Sequence, residues 1–472
     1  MSIKKNSIIN FVGAGVPLLL TLVTLPLYVQ TIGEERFAVV SIAWIILGYF
    51  GFFDLGLTQA TASEIAKTND QESLRRSEIY WTALTINGVF GTVGGVLAWL
   101  VGYVFFRDYF ATSFELKKEI LGILPWLAIA VPIATISGVQ IGFLQGRERF
   151  LLINKISIAG SFFLQLLPLV AAIAISPRLS VIMPVTVLSR VFVLLFLGVA
   201  VNRDLQFAKR PVFKKQLARN LLNFGGWVTV SGIISPILTT FDRFLIGALS
   251  GAKAVTYYTV SYNLASRVSI FPTSLTTALF PRLSGANSND RRAYARNGVA
   301  ALIVVMLPLL AFGILNFNIF LRIWMNPEFA GKSSGIGEVI LLGMFFNSLA
   351  RIPYVSLQAS GRPDLVAKCH LAEIVPYCLL LYLGTLHFGA VGAAGVWAVR
   401  SCVDSALLFF LHGVEKTNLL HAVIASIFLL ALTIYAIHRV DAGIAGQIEL
   451  NAFILIPLIL WSGIMIKKIR RG

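Results

Sequence analysis

The sequence predicts an all-α polytopic membrane protein of about 14 transmembrane helices, in two six-helix lobes followed by a C-terminal pair. Three observations predict it. Hydrophobic residues make up 57% of the chain and charged residues only 13%, against about 45–50% and about 25% in soluble domains. Apolar runs long enough to cross a hydrocarbon core of roughly 30 Å recur from Ser7 to Ile466. No connecting segment exceeds about 20 residues, which leaves no room for a soluble catalytic domain.

The apolar segments fall at 7–31, 38–61, 79–106, 119–142, 151–175, 181–201, 220–240, 254–280, 297–320, 338–357, 365–387, 391–413, 419–438 and 451–466. The first follows Lys4 and Lys5, as in a signal peptide. It is too long for an h-region and lacks an Ala-x-Ala-type site, so an uncleaved first helix is expected. Pro17, Pro26, Pro132, Pro168, Pro236, Pro272, Pro308 and Pro376 interrupt the segments. Within a bundle they bend helices without breaking them, because neighbouring groups take up the freed carbonyls.

The net charge of +17 would suggest nucleic acid in a soluble protein. Here most Lys and Arg lie between spans, where they set topology, and no nucleic-acid motif accompanies them. Counted from inside, the N-terminus, the even-numbered loops and the tail Lys467-Lys468-Ile-Arg470-Arg471 carry the excess. Both termini are therefore expected in the cytoplasm. The richest loop, 202–220, divides the chain into an N-lobe at 1–205, a C-lobe at 206–414 and a helix pair with basic tail at 415–472. Asn10-Phe-Val-Gly13 and Asn223-Phe-Gly-Gly226 open the first and seventh spans, the pattern of a parallel repeat. Cys369, Cys378 and Cys402 all lie in apolar segments, so neither a disulfide framework nor a Cys-based metal site is indicated.

Charges inside the apolar segments are the candidate functional residues, because each costs roughly 2.5–3.5 kcal/mol at mid-bilayer unless it faces a partner or a wet cavity. Arg267 leads them. If its span is helical, Thr259, Asn263 and Arg267 lie at i, i+4 and i+8, with Ser274 on the same side. Arg267 is then either cargo-facing or satisfied by carbonyls or a carboxylate. Arg351 shares a face with Asn347, Tyr354 and Gln358, and either faces cargo or snorkels to the cytoplasmic surface. Arg190 has only Thr186 and Ser189 nearby. Arg400 and Asp404 stand one turn apart, the spacing of an internal ion pair. Glu373, on a face with His370 and Tyr377, is a proton carrier or the partner of an arginine. Asp54 faces a cavity or caps a helix. Metal binding is not expected, since no second His-x-x-Glu pair is present. Phosphate loops, nucleophile elbows and zinc-protease motifs are absent, so neither an enzyme nor a cofactor is expected.

Several stretches resemble bacterial polysaccharide exporters of the O-antigen flippase (Wzx-type) family, sister to the lipid II flippases. They are Gly33-Glu-Glu-Arg-Phe37, Phe53-Asp-Leu-Gly-Leu57, Asp242-Arg243-Phe-Leu-Ile-Gly247, Tyr257-Tyr258, Arg267-Val-Ser-Ile-Phe-Pro272 and Ala278-Leu-Phe-Pro-Arg-Leu-Ser284. The resemblance covers about 10–70 and 220–285 at motif level. It implies two lobes around a V-shaped cavity in the multidrug/oligosaccharidyl-lipid/polysaccharide (MOP) exporter superfamily. It also implies flipping of undecaprenyl-pyrophosphate-linked oligosaccharide across the bacterial inner membrane, in O-antigen and lipopolysaccharide biosynthesis, by alternating access. On it, Arg267 faces the cavity, and Asp242 and Arg243 join the coupling or ion-pairing residues. The partners it implies are lipid-linked oligosaccharide, membrane lipids, a polysaccharide polymerase and a chain-length regulator, with no nucleic acid. Lipid II flippases carry first-span arginines that this chain lacks, which favours a polysaccharide-repeat cargo. The rival readings are a drug or metabolite cation antiporter of the same superfamily, a membrane-embedded glycan polymerase and a non-transporting scaffold.

Overall fold

The computed structural model describes residues 3–48, 54, 56–69, 71–205, 213–413, 416–438 and 444–471. Side chains at 3–16, 18, 46–48, 223–237, 281, 288, 363, 416–417, 444–448 and 466–471 are outside that description. The echo Asn10–Gly13 with Asn223–Gly226 falls there, as do Lys4, Lys5, Lys209, Arg210 and the tail from Lys467 to Arg471.

Among the described residues the chain is helical and eight helices are long and apolar enough to cross a membrane. The helices of the chain are, in order, α1 (Ile3–Ile32), α2 (Glu34–Gly48), α3 (Leu57–Ala66), α4 (Ser73–Val104), α5 (Phe114–Gly146), α6 (Phe150–Ala174) and α7 (Leu179–Asp204). Then follow α8 (Lys215–Leu249), α9 (Ala252–Ala265), α10 (Ile270–Gly285), α11 (Ser288–Trp324), α12 (Pro327–Ala359), α13 (Pro363–His412), α14 (Lys416–His438) and α15 (Ile444–Arg471). Helices α5, α6, α7, α11 and α12 run through internal prolines. Helix α13 reverses at Gly389, whose φ of 58° and ψ of −142° lie outside helical space and suit a residue without a β-carbon. That bend separates the apolar segments 365–387 and 391–413.

The chain forms two compact units, residues 1–244 with 251–253 and residues 245–250 with 254–472. Residues 215–244, all but the last turn or so of α8, fall in the first unit, whereas the basic loop suggests a division at 205/206. The reason is burial: Ala218 and Leu221 enter a core with Leu57, Ile79, Phe143 and Val201. Lys214 adds an ion pair to Glu78 and donates its backbone N–H to Thr82 Oγ1.

In the first unit a row of glycines on α5, at 138, 142 and 146, lies against α3. A β-carbon at Gly142 would overlap the Thr58 carbonyl, and one at Gly146 the Ala62 carbonyl. On α4, Gly91 and Gly95 approach Thr135, Pro132 and Ala128 of α5 in the same way. Small residues at four-residue spacing let helix backbones meet closely where lipid supplies no hydrophobic drive. The connections sort to two ends. At one end Arg36 forks onto Glu119 at 2.8 and 3.0 Å, Glu35 meets Lys253 at 3.9 Å, and the Ala252 N–H donates to the Ala111 carbonyl. The hydrogen bonds that Arg36 donates to the Glu119 carboxylate hold its guanidinium above its ordinary pKa. At the other end Arg147 and Arg149 share Asp204 at 2.8 and 3.1 Å.

In the second unit α11 and α12 form the interior, with Leu310, Ile314, Ile340 and Phe345 fully buried. Helices α14 and α15 dock on α11 by polar contacts. Asn451 Nδ2 donates to Asn316 Oδ1 at 2.7 Å, Ser462 Oγ to the Val304 carbonyl at 2.8 Å, and Asn418 Nδ2 to the Arg296 carbonyl at 2.8 Å. The two arms of α13 touch through Gly384 and Gly392, where a β-carbon on either would strike the other arm. Gly392→Ala should therefore cost about 1–3 kcal/mol of overpacking strain. Gly395→Ala, with no neighbour within 4 Å, should be neutral or stabilising by up to about 1 kcal/mol. Unfolding titrations of the purified protein in mixed micelles measure both.

Candidate functional site

Arg267 lies at a break in a helix. Helix α9 ends at Ala265, a 3₁₀ turn spans Ser266–Ser269, and α10 starts at Ile270. Pro272, in the first turn of α10, has no N–H to continue the preceding ladder. The Ile270 N–H instead bonds three residues back, to the Arg267 carbonyl. Ser266 Oγ turns to the Asn263 carbonyl at 3.1 Å, and Ser269 Oγ to Met344 Sδ of α12 at 3.7 Å. The expected stripe is thus interrupted, since a 3₁₀ turn advances three residues per turn rather than 3.6. Thr259 is buried, Asn263 half-buried, and Arg267 and Ser274 exposed. No hydrogen bond or ion pair within the described residues engages the Arg267 guanidinium.

Arg351, on α12, is half-buried and within electrostatic reach of Tyr354 and Tyr262. Tyr262 belongs to α9, stacks on Tyr258 and meets Trp397 of α13 edge-on at 5.5 Å. Arg351 therefore lies beside the helix that leads into the Arg267 turn. Arg190 is half-buried on α7 of the first unit. Its neighbours Thr186 and Ser189 spend their hydroxyls on the Ile182, Val185 and Phe163 carbonyls.

The carboxylates are occupied. Arg400 meets Glu373 across the two arms of α13 at 3.6 Å and lies 5.3 Å from the Tyr377 ring centroid. Asp404 meets His370 at 3.5 Å. The expected Arg400–Asp404 pair along one helix is corrected to these two contacts between arms. Folding α13 back at Gly389 brings Glu373 nearer to Arg400 than the in-helix neighbour. Asp242 and Arg243 are both buried and pair with each other at 2.7 Å, and Arg243 also donates to the Thr239 carbonyl.

Asp54 is buried in the first unit. Asn87 Nδ2 of α4 donates to its Oδ1 at 2.6 Å and the Thr58 N–H to its Oδ2 at 3.0 Å. Asn87 also donates to the Thr135 carbonyl of α5, and Thr135 Oγ1 returns a bond to the Asn87 carbonyl, both at 3.1 Å. Asn87 escaped the sequence reading; its signal was a lone amide in an apolar segment beside Gly88 and Gly91. Tyr262 escaped too, as one aromatic among many.

Breaking one buried pair tests these assignments. Arg400→Gln should cost about 3 kcal/mol by leaving Glu373 uncompensated. Adding Glu373→Gln should restore most of that loss, whereas adding Asp404→Asn should restore less; unfolding titrations in mixed micelles compare them.

Comparison with known proteins agrees with this layout. The model of the family described as polysaccharide biosynthesis protein matches residues 3–286, and the MatE model matches 228–382. A Shigella flexneri protein named "Putative O-antigen transporter" is 32% identical over 417 residues, covering 87% of this chain and 98% of that protein. Among solved structures, the lipid II flippase MurJ in an inward closed conformation superposes with a TM-score of 0.73 at 14% identity, over 98% of both chains. An inward-facing multidrug resistance MATE transporter of the MOP superfamily gives 0.65 at 15% identity, over 89% of this chain and 98% of that one. These likenesses make the chain a multi-pass membrane transporter rather than an enzyme, and it belongs to the polysaccharide biosynthesis protein family, with the putative O-antigen transporter as a relative.

Proposed function

We propose that the protein carries undecaprenyl-pyrophosphate-linked oligosaccharide repeat units from the cytoplasmic to the periplasmic leaflet of a bacterial inner membrane. On this reading about 14 spans form two six-helix lobes that expose the cavity alternately, with both termini cytoplasmic. A polymerase and a chain-length regulator would take the product onward. The observation that carries the reading is the Arg267 guanidinium, exposed at a helix break with no protein counter-charge among the described residues. A pyrophosphate suits such a group, since charge-assisted contacts to phosphate favour the planar fork of arginine. Arg351, Arg190 and Asn263 are the further cargo contacts on this proposal. Coupling falls to a buried carboxylate, Asp54, Glu373 or Asp404, or to membrane potential acting on the anion.

The competing reading is a cation antiporter, favoured by the MatE match. Such a carrier needs an accessible anionic site, and in the second unit Glu373 and Asp404 already hold Arg400 and His370.

In a strain lacking its own flippase, Arg267→Ala should abolish surface-glycan complementation while membrane levels stay unchanged. Arg267→Lys should be intermediate, because the charge survives and the bidentate fork does not. Full export by Arg267→Ala would sink the assignment. Lipid-linked repeats accumulating in the cytoplasmic leaflet of the deletion strain would separate flipping from polymerisation.

A further inference from the structure

The connections at one end of the first unit enclose a cavity of about 350 Å³. Gly33, in the left-handed region at φ 81°, turns the chain from α1 into α2 and places Glu34, Glu35 and Arg36 in the cavity lining. Ser113 and Glu115, at the start of α5, and Lys253, at the start of α9, complete the polar lining. Short contacts hold these pieces together. Thr112 Oγ1 donates to Glu35 at 3.4 Å, and the Ala252 N–H donates to the Ala111 carbonyl at 3.2 Å.

Both signs of charge line the space. Three carboxylates stand against one guanidinium and one ammonium, so negative charge is in excess. The cations also have donors to spare. Arg36 gives Nε and Nη2 to Glu119, and no hydrogen bond among the described residues takes its Nη1. Lys253 comes no nearer to Glu35 than 3.9 Å. An occupant that fits must therefore bring a positive charge for the carboxylates and acceptor oxygens for Arg36, Lys253 and the Ser113 hydroxyl. A metal ion does not fit, since no three His, Cys, Asp or Glu among the described residues are grouped to hold one. An oligosaccharide does not fit either, because the volume is at the small end of ligand sites, which run from roughly 300 to 1,000 Å³.

The cavity lies where apolar segments of the first unit end. Trp99 and Tyr103 on α4, and Tyr109 just beyond it, are exposed, and the Arg107 guanidinium lies 5.4 Å from the Tyr103 ring centroid. Exposed Trp and Tyr of this kind sit at the headgroup level of a bilayer. Phe114, between the lining residues Ser113 and Glu115, is 83% exposed and offers an apolar contact for acyl chains.

We infer that this cavity binds the headgroup of a zwitterionic phospholipid bearing a primary ammonium, of the phosphatidylethanolamine class. The ammonium has three N–H donors for Glu34 and Glu115. The phosphate accepts from Arg36 Nη1, Lys253 and Ser113. Phosphatidylcholine carries the same charges without an N–H donor, and phosphatidylglycerol brings no cation. The site is independent of the cargo, so it stands whether or not Arg267 contacts a pyrophosphate.

The experiment is native mass spectrometry of the full-length protein in detergent, titrated with the three lipids at matched chain length. The first phosphatidylethanolamine should bind about tenfold more tightly than the first phosphatidylcholine or phosphatidylglycerol. In phosphatidylcholine nanodiscs, added phosphatidylethanolamine should raise the melting temperature. Glu115 is exposed, so Glu115→Gln should fold normally while losing most of the preference over phosphatidylcholine. Glu115→Lys should turn the preference toward phosphatidylglycerol, and Lys253→Ala should weaken phosphatidylethanolamine binding at least about fivefold. Glu328→Gln, at an exposed position in the second unit, should bind as the native chain does. The proposal is overturned if the native chain binds the three lipids alike, or if Glu115→Gln and Lys253→Ala both keep the native preference. It is also overturned if soluble glycerophosphoethanolamine binds as tightly as the lipid, which would make the cavity a solute site.

Discussion

The constraint on which the rest depends is the absence of water around the apolar helices. A charge placed there must be answered by protein, by cargo or by an ion. The chain answers most of its charges within one unit and at short range. Asp242 takes the adjacent Arg243, Glu373 takes Arg400, and Asp404 takes His370. The contacts form because backbones come close. Folding α13 at Gly389 faces its two arms, and the Gly384–Gly392 approach keeps them together. In the first unit the glycine rows of α4 and α5 draw α3 inward, so that Asp54, Asn87 and Thr135 meet.

Arg267 departs from this economy. A helix running unbroken from α9 into α10 would present Arg267 in register with Asn263, one turn earlier. The 3₁₀ turn before Pro272 re-aims it and leaves the guanidinium exposed. A break in mid-helix gives up regular hydrogen bonding, and such breaks often mark functional positions. Backbone irregularity and a cation with no counter-charge among the described residues coincide at one residue. Each alone would be unremarkable, and together they single out this turn.

Much of the fold was legible because burial in lipid writes itself into composition. Among the described residues the apolar segments are helical, apart from the 3₁₀ turn within 254–280 and the Gly56 turn within 38–61, and the reversal at Gly389 falls between two of them. Which charge pairs with which was not legible. Helical spacing put Arg400 beside Asp404, one turn away, but the choice was made by the other arm of the hairpin, which no local pattern encodes. The Arg267 stripe failed for a related reason, since periodicity assumes a constant 3.6 residues per turn and Pro272 locally alters it. Asn87 is the instructive omission. An amide in an apolar helix carries no charge to draw notice, yet it organises three helices.

Two kinds of buried charge emerge, and their chemistry differs in a way a transporter can use. A guanidinium stays charged under any physiological condition, so an exposed Arg267 offers a fixed potential to whatever enters. A carboxylate can be neutralised reversibly, by a proton or a metal cation. Glu373 and Asp404 of the second unit already meet Arg400 and His370, whereas among the described residues Asp54 is met by neutral donors. If cargo binding draws on the first kind and ion coupling on the second, they reside on different helices, and one can change without erasing the other. Substitutions at the glycine rows would then disturb the surroundings of Asp54 through packing while leaving the Arg267 turn intact. Substitutions at Pro272 would do the reverse.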